Sequence, residues 1–221
     1  MSPQETPDNL MAYYAARAAE YDDVYRKPER QDDIRSLRTL LRELLSGHSV
    51  LEVACGTGFW TEEIAVTASH ILATDVNESV LEIASERLRH CQNVTICRDD
   101  AFALTRAKGG FTAAFAGFWW SHLRKGEQLS RFLNLLHGKL RPGALVVFTD
   151  NRNVAGSSLP VTREDADGNT YQKRRLRDGT EHEVLKNFPH EAEIRSVLRG
   201  RGNLVDFRAL TYYWCVSYRA T

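Results

Sequence analysis

The run from Val50 to Gly58, VLEVACGTG, is an apolar stretch that ends in a glycine turn, with a helix opening at about Phe59. Such a unit can bind a ligand: glycine lacks the Cβ that would keep a ligand off the backbone, and a helix start offers N–H groups without intrahelical partners. Two glycines alone also fit an ordinary strand-to-helix loop. What favours a site is the placing of Glu52 in this first strand, Asp75 after the second and Asp100 after the third, because the carboxyl ends of adjacent parallel strands line a common crevice. Asp75 could accept both hydroxyl protons of a ribose, against the plainer role of a carboxylate at a helix N-terminus. Asp100, next to Asp99, competes with a solvated acidic pair. Past the fourth strand, AGFWWSHL places His122 as a candidate proton acceptor, or as a loop cap, and Trp119 and Trp120 as pocket wall or core.

The elements that would position these residues alternate. Apolar runs at 49–54, 71–76, 93–98, 111–118 and 144–150 read as strands, separated by helical periodicity that includes a helix from an Asn77 cap to about His90 and another over 128–140 feeding Pro142-Gly143. The alternation predicts an α/β fold with a mainly parallel sheet. After Asp150 the pattern turns antiparallel: a hairpin over 171–176 and 181–185 around Asp178-Gly179, a helix over 191–199, and closing strands at 204–210 and 212–218. Two helices, 10–25 and 33–45, precede the sheet. The first carries Tyr13, Tyr14, Arg17, Tyr21 and Tyr25, an aromatic and cationic face suited to a lid over the crevice or to plain packing.

Composition sets bounds. With 221 residues, 43% hydrophobic and 26% charged, one full core is within reach, and the chain is expected to form a single domain: a helical lid over 1–46, a binding half over 47–151, and a hairpin insert with closing strands over 152–221. Twenty-nine basic residues match twenty-nine acidic ones, so no global field recruits nucleic acid or an anionic membrane. No leader signature stands at residues 1–10 and no run is long enough to span a membrane, which leads to the expectation of a soluble cytoplasmic protein. Cys55, Cys91, Cys97 and Cys215 form no paired motif.

These segments resemble the class I S-adenosylmethionine-dependent methyltransferases. LEVACGTG is similar to their motif I, TDVNESVLEIA to motif II with Asp75 on the ribose, RDDAF to the adenine-holding segment, 111–122 to motif IV, and LRPGALVVF to the approach to strand five. The resemblance spans about 49–150, together with the entry helix and closing strands. It implies a Rossmann-like seven-stranded mixed sheet with N-terminal lid helices and an inserted β-hairpin. It further implies S-adenosyl-L-methionine as cofactor, contacted by Tyr14, Arg17, Glu52, Ala54, Gly56, Gly58, Asp75, Val76, Asp100, Ala101, Ala116 and Phe118, with Arg17 reaching the cofactor carboxylate. The acceptor pocket would be formed by Tyr13, Tyr21, Trp119, Trp120 and Asn151, with His122 as base. Ala54 stands where many members have a glycine, and a tighter turn is expected there.

The residues weigh the alternatives. A nicotinamide dinucleotide needs a third glycine for its pyrophosphate, and this register offers Thr61; Glu52 beside the turn complements a cation instead. Asp150-Asn151 is similar to part of a metal site in catechol-type O-methyltransferases, but Ala116-Gly117-Phe118 supplies no second aspartate, so no metal is expected. The expected function is methyl transfer to nitrogen or oxygen of a small molecule, with neither nucleic acid nor membrane as partner and the oligomeric state undetermined. A catalytically silent adenosylmethionine-binding subunit is the alternative, and a nicotinamide-dependent reductase stands behind it. The basic cluster Lys173 to Arg177 reads as a solvated strand edge, or as a patch that meets an acidic substrate.

Overall fold

The computed structural model describes residues 8–221, so most of the stretch read for a leader lies outside the described residues. Its centre is a seven-stranded sheet: β1 (Ser49–Val53), β2 (His70–Asp75), β3 (Val94–Arg98), β4 (Phe111–Gly117), β5 (Leu140–Asn151), β9 (Gly202–Ala209) and β10 (Tyr213–Ala220), in the spatial order β3-β2-β1-β4-β5-β10-β9. Strands β1 to β5 pair in parallel, and β10 runs antiparallel between β5 and β9. The expected Rossmann-like mixed sheet is therefore present. Its order reverses between β1 and β4, the switch point where open α/β sheets present a crevice.

Burial follows from this layering. β1 is buried along nearly its whole length rather than at alternate positions, because apolar clusters cover both faces of the sheet. On one face Ile34, Leu37 and Leu41 of α2 (Gln31–Leu44) and Ile64 of α3 (Phe59–Ala65) pack with Val50, Phe115 and Val147. On the other, Phe132 and Leu133 of α5 (Glu127–His137) and Ile194 of α6 (Glu191–Leu198) pack with Ala114, Val146 and Trp214. Each large apolar side chain removed from water contributes about 1.5–3 kcal/mol. Helix α4 (Glu78–Leu88) starts on the expected cap, with Ser79 N–H donating to the Asn77 side chain.

Three expectations of local structure are corrected. The first helix is not continuous: α1 (Asp8–Arg17) gives way to a 3₁₀ segment, Ala18–Tyr25, in which Asp22 accepts from Thr57 Oγ1 at 2.7 Å and Tyr25 stacks on Phe59 at 4.2 Å between ring centres. The tighter winding brings both side chains onto the glycine-turn region. Pro142-Gly143 lies inside β5 instead of preceding it; the pairing register with β4 slips between Phe111 and Ala113, a bulge that accommodates a proline lacking its N–H. The hairpin β7 (Thr170–Arg175) and β8 (Glu181–Leu185) gains an edge strand, β6 (Arg163–Glu164), making a separate three-stranded sheet beside α1. Among the described residues no helix is long and apolar enough to cross a membrane.

Candidate functional site

The glycine turn after β1 is wound through left-handed backbone: Ala54, Gly56 and Gly58 have φ of 57°, 56° and 75°. Ala54 holds this conformation with a Cβ in place, a strain of about 1–2 kcal/mol that the surrounding structure sustains. The two glycines serve different ends. A Cβ on Gly58 would lie 2.8 Å from Leu88 Cδ1, so Gly58 lets α3 approach α4 and does not line the cleft. Gly56 does line it, and a Cβ there would meet the Tyr21 ring at 3.3 Å.

Gly56 N–H donates to Asp75 Oδ2 at 3.0 Å, and Asn77 N–H donates to Oδ1 at 2.9 Å. These bonds clamp the Asp75 carboxylate between the β1 turn and the start of α4, while its side chain stays on the cleft wall. Burial raises its pKa, opposed by these N–H donors. Val76 and Ala101 line the cleft as well. At the third strand end it is Asp99, not Asp100, that faces the cleft. Asp99 accepts from Thr105 and Arg106 backbone N–H and shapes the loop, and Asp100 caps Phe102 N–H at 2.9 Å. Glu52 sits beneath the wall, 2% exposed, with Oε2 lacking any hydrogen-bond partner, and burial pushes its carboxyl up to about 8.

The roof is α1 and the 3₁₀ segment: Leu10, Met11, Tyr14 and Tyr21 close over the cleft, and Asn77 Nδ2 ties them down by donating to Met11 carbonyl at 3.2 Å. The floor at the switch point comes from Gly117, Phe118 and Trp119, with Phe118 in left-handed backbone at φ 60°. Ala116 is fully buried under it. The tryptophans part company. Trp119 lines the cleft with its indole N–H unpartnered, whereas Trp120 packs into the core, 5.1 Å from Phe148 and 6.0 Å from Trp214 between ring centres. Trp120 is therefore removed from the expected pocket.

A second cavity of about 500 Å³ lies behind, between the 3₁₀ segment, the β6–β8 sheet and the end of β5. Tyr14, Tyr21, Phe118 and His122 line both spaces and form their boundary. Tyr13, Arg17 and Asn151 face the second cavity, so the structure places Arg17 away from the cleft where the cofactor carboxylate was expected: it stacks on Tyr13 and Tyr21 and donates to Tyr13 Oη at 3.1 Å. His122 is held at both ring nitrogens, Nδ1 at 2.7 Å from the Leu185 carbonyl oxygen and Nε2 at 2.7 Å from Tyr14 Oη. A carbonyl only accepts, which assigns the proton to Nδ1 and leaves Nε2 to accept from Tyr14. Burial, with the charges of Lys186 and Arg174, holds the imidazole well below its usual pKa and hence neutral.

Sequence reasoning missed Lys186. Its ammonium, on the cavity wall, donates to Asp150 at 2.9 Å and Ser121 Oγ at 2.5 Å, and burial lowers its pKa to about 8. Arg30 and Lys27 were missed too; Arg174 belongs to the Lys173 to Arg177 cluster read as a solvated edge or a patch for an acidic substrate, and it lies half-buried between exposed Lys173 and Arg175, all three on the cavity wall. Asp150, read as a partial metal ligand, is engaged by Lys186, Ser121 and Asn151.

Comparisons with known proteins agree with this geometry. Residues 50–143 match a family model described as a methyltransferase domain. The chain is 28% identical over 141 residues to a demethylmenaquinone methyltransferase of Lactococcus lactis subsp. lactis, covering 61% of this chain and 54% of that protein. The chain thus spans about half the length of the curated relatives it matches. Among solved structures, the DhpI-SAH complex aligns with a TM-score of 0.78 at 24% identity over 96% of each chain. The DhpI-SAM-HEP complex aligns with a TM-score of 0.80 at 22% identity over 99% of this chain and 100% of that one.

Proposed function

We propose that this chain, which carries a class I S-adenosylmethionine-dependent methyltransferase domain, transfers a methyl group to nitrogen or oxygen of a small molecule seated in the second cavity. The observation that carries the reading is the boundary: two spaces of different chemistry meet at Tyr14, Tyr21, Phe118 and His122.

The cleft suits the cofactor. Among its lining residues stand Asp75 and Asp99 but no lysine or arginine, which disfavours a diphosphate and suits a nucleoside with a cationic sulfur. Asp75 would take the ribose hydroxyls. Gly56 gives the close approach to backbone, and Ala101 and Val76 offer apolar contact to a base. Glu52, with its orphaned Oε2, answers positive charge at the methionine end. When bound, S-adenosylmethionine supplies a methyl carbon activated by its sulfonium.

The chain's own contribution is alignment, exclusion of water and handling of a proton. α1 and the tyrosines cover the cleft, so the reacting centre is screened from solvent. Neutral His122, fixed by Leu185 in the tautomer that bares Nε2, can accept a proton from an acceptor directly or through Tyr14, whose hydroxyl already points at it. A cavity of about 500 Å³ between lid and hairpin has the volume for a metabolite-sized acceptor.

The test is titration calorimetry with S-adenosylhomocysteine followed by a methyl-acceptor panel with labelled cofactor. Cofactor-product binding with transfer to an amine or hydroxyl compound is the expected result. Tight binding with no transfer across chemically diverse acceptors would favour the silent subunit, and binding of reduced nicotinamide in its place would overturn the reading.

A further inference from the structure

Four cations on the wall of the second cavity, Arg17, Lys27, Arg30 and Arg174, make no ion pair with a carboxylate among the described residues. Arg17 and Arg174 both donate to Tyr13 Oη, at 3.1 and 3.5 Å, and each lies against the Tyr13 ring. Lys27 and Arg30 both donate to the Ser157 carbonyl oxygen, at 3.0 and 3.1 Å. Each pair brings two like charges to one neutral acceptor. Arg30 is only 6% exposed, with Ser157 and Asn151 as further neutral partners, and Arg174 Nε is buried without a partner. The cavity's acids do not offset this charge: Glu20 and Asp23 are bound by Arg177 at the hairpin turn, and Lys186 is already matched by Asp150.

Guanidinium groups buried with only neutral hydrogen-bond partners carry a desolvation cost, offset in part at Lys27 and Arg30 by exposed Glu29, which accepts from Ser157 Oγ, and like charges gathered on one oxygen add repulsion to it. The positive field also reaches the neighbouring groups: Arg30 adds to burial in lowering the Lys27 pKa, and Arg174 and Arg17 add to it for His122. Arginine presents planar paired donors that match an oxyanion. We infer that the acceptor bears a carboxylate or phosphoryl oxyanion, held in this cavity chiefly by Arg30 and Arg174 with Arg17 and Lys27 beside them. The inference rests on the methyl-transfer reading, because it makes the second cavity the acceptor site; it adds the acceptor's charge class.

The experiment uses the full chain saturated with S-adenosylhomocysteine, titrated calorimetrically with inorganic phosphate and, separately, with malonate. Saturable one-to-one binding of at least one anion is expected, phosphate alone indicating a phosphoryl acceptor and malonate alone a carboxylate. Arg30→Gln and Arg174→Gln should each weaken that binding about tenfold, the weight of one charge-assisted hydrogen bond, with S-adenosylhomocysteine affinity retained as proof of folding. Should Arg30→Gln fail to fold, the partly exposed Arg174 carries the test. Two results overturn the inference while leaving the cofactor reading intact: no saturable anion binding to the loaded protein, or anion affinity unchanged in the variants, which marks an adventitious surface ion. Failure of S-adenosylhomocysteine to bind at all would instead bring down the reading beneath it.

Discussion

Tyr14 Oη and His122 Nε2, 108 residues apart in the chain, lie 2.7 Å from each other, with the tyrosine as donor. A lid residue and a switch-point residue thus share one proton at the boundary of the two cavities. Because the donated hydrogen bond favours neutral imidazole, its loss should raise the His122 pKa.

That gives the first expectation. His122→Gln should lower kcat by about a hundredfold or more, in line with general-base roles, with little change in S-adenosylhomocysteine affinity. Tyr14→Phe should move the acidic limb of the kcat profile to higher pH, since the imidazole then protonates more readily. Superimposable pH profiles for wild type and Tyr14→Phe would remove the coupling.

Glu52 predicts a pH dependence of cofactor binding. Its carboxyl, pushed up to about 8 by burial, is protonated in the unliganded fold below that pH. A bound cation favours the carboxylate, so binding releases a proton and affinity rises with pH up to about 8, by at most about tenfold per unit. Calorimetry across pH 6 to 9 should give a flatter curve for Glu52→Gln; equal slopes would take Glu52 out of cofactor recognition.

Asp75→Asn keeps an acceptor for one of the two backbone N–H groups that clamp it but loses charge and one lone-pair set toward the cleft. The expected loss is about 1–3 kcal/mol of cofactor affinity. An unchanged dissociation constant would leave Asp75 a purely structural clamp.

The Lys186–Asp150 pair, 4% and 0% exposed at its side chains, predicts a stability effect. Lys186→Met leaves a buried carboxylate without its cation, which costs about 3–5 kcal/mol. Urea denaturation of the unliganded protein measures it, and a loss under about 1 kcal/mol would mean water or a neighbouring arginine replaces the ammonium.

Much of the cofactor half was legible because its determinants are local. A strand, a turn that needs left-handed backbone and a capped helix are separated by a few residues, so the order Gly56, Asp75, Ala101 already places these positions at neighbouring strand ends. Locality fails where two adjacent residues of like type compete. Asp99 and Asp100, or Trp119 and Trp120, differ only in which way a loop turns them, and the Thr105 and Arg106 amides or the Phe148 and Trp214 rings decide that from a distance. The winding of 18–25 was hidden for the same reason, since Thr57 and Phe59 hold it from across the cleft.

From the chain of letters alone came the parallel sheet with its antiparallel close, the glycine turn and the acids at its edge, since hydrophobic period and turn chemistry act between near neighbours. Only tertiary structure decided the second cavity. Its cations arrive from the lid, the segment after it and the β7–β8 hairpin, and each would read as an ordinary solvated charge in isolation; packing brings them together on one wall, with Arg30 buried and Arg17, Lys27 and Arg174 half-buried, where they are less screened than on an open surface.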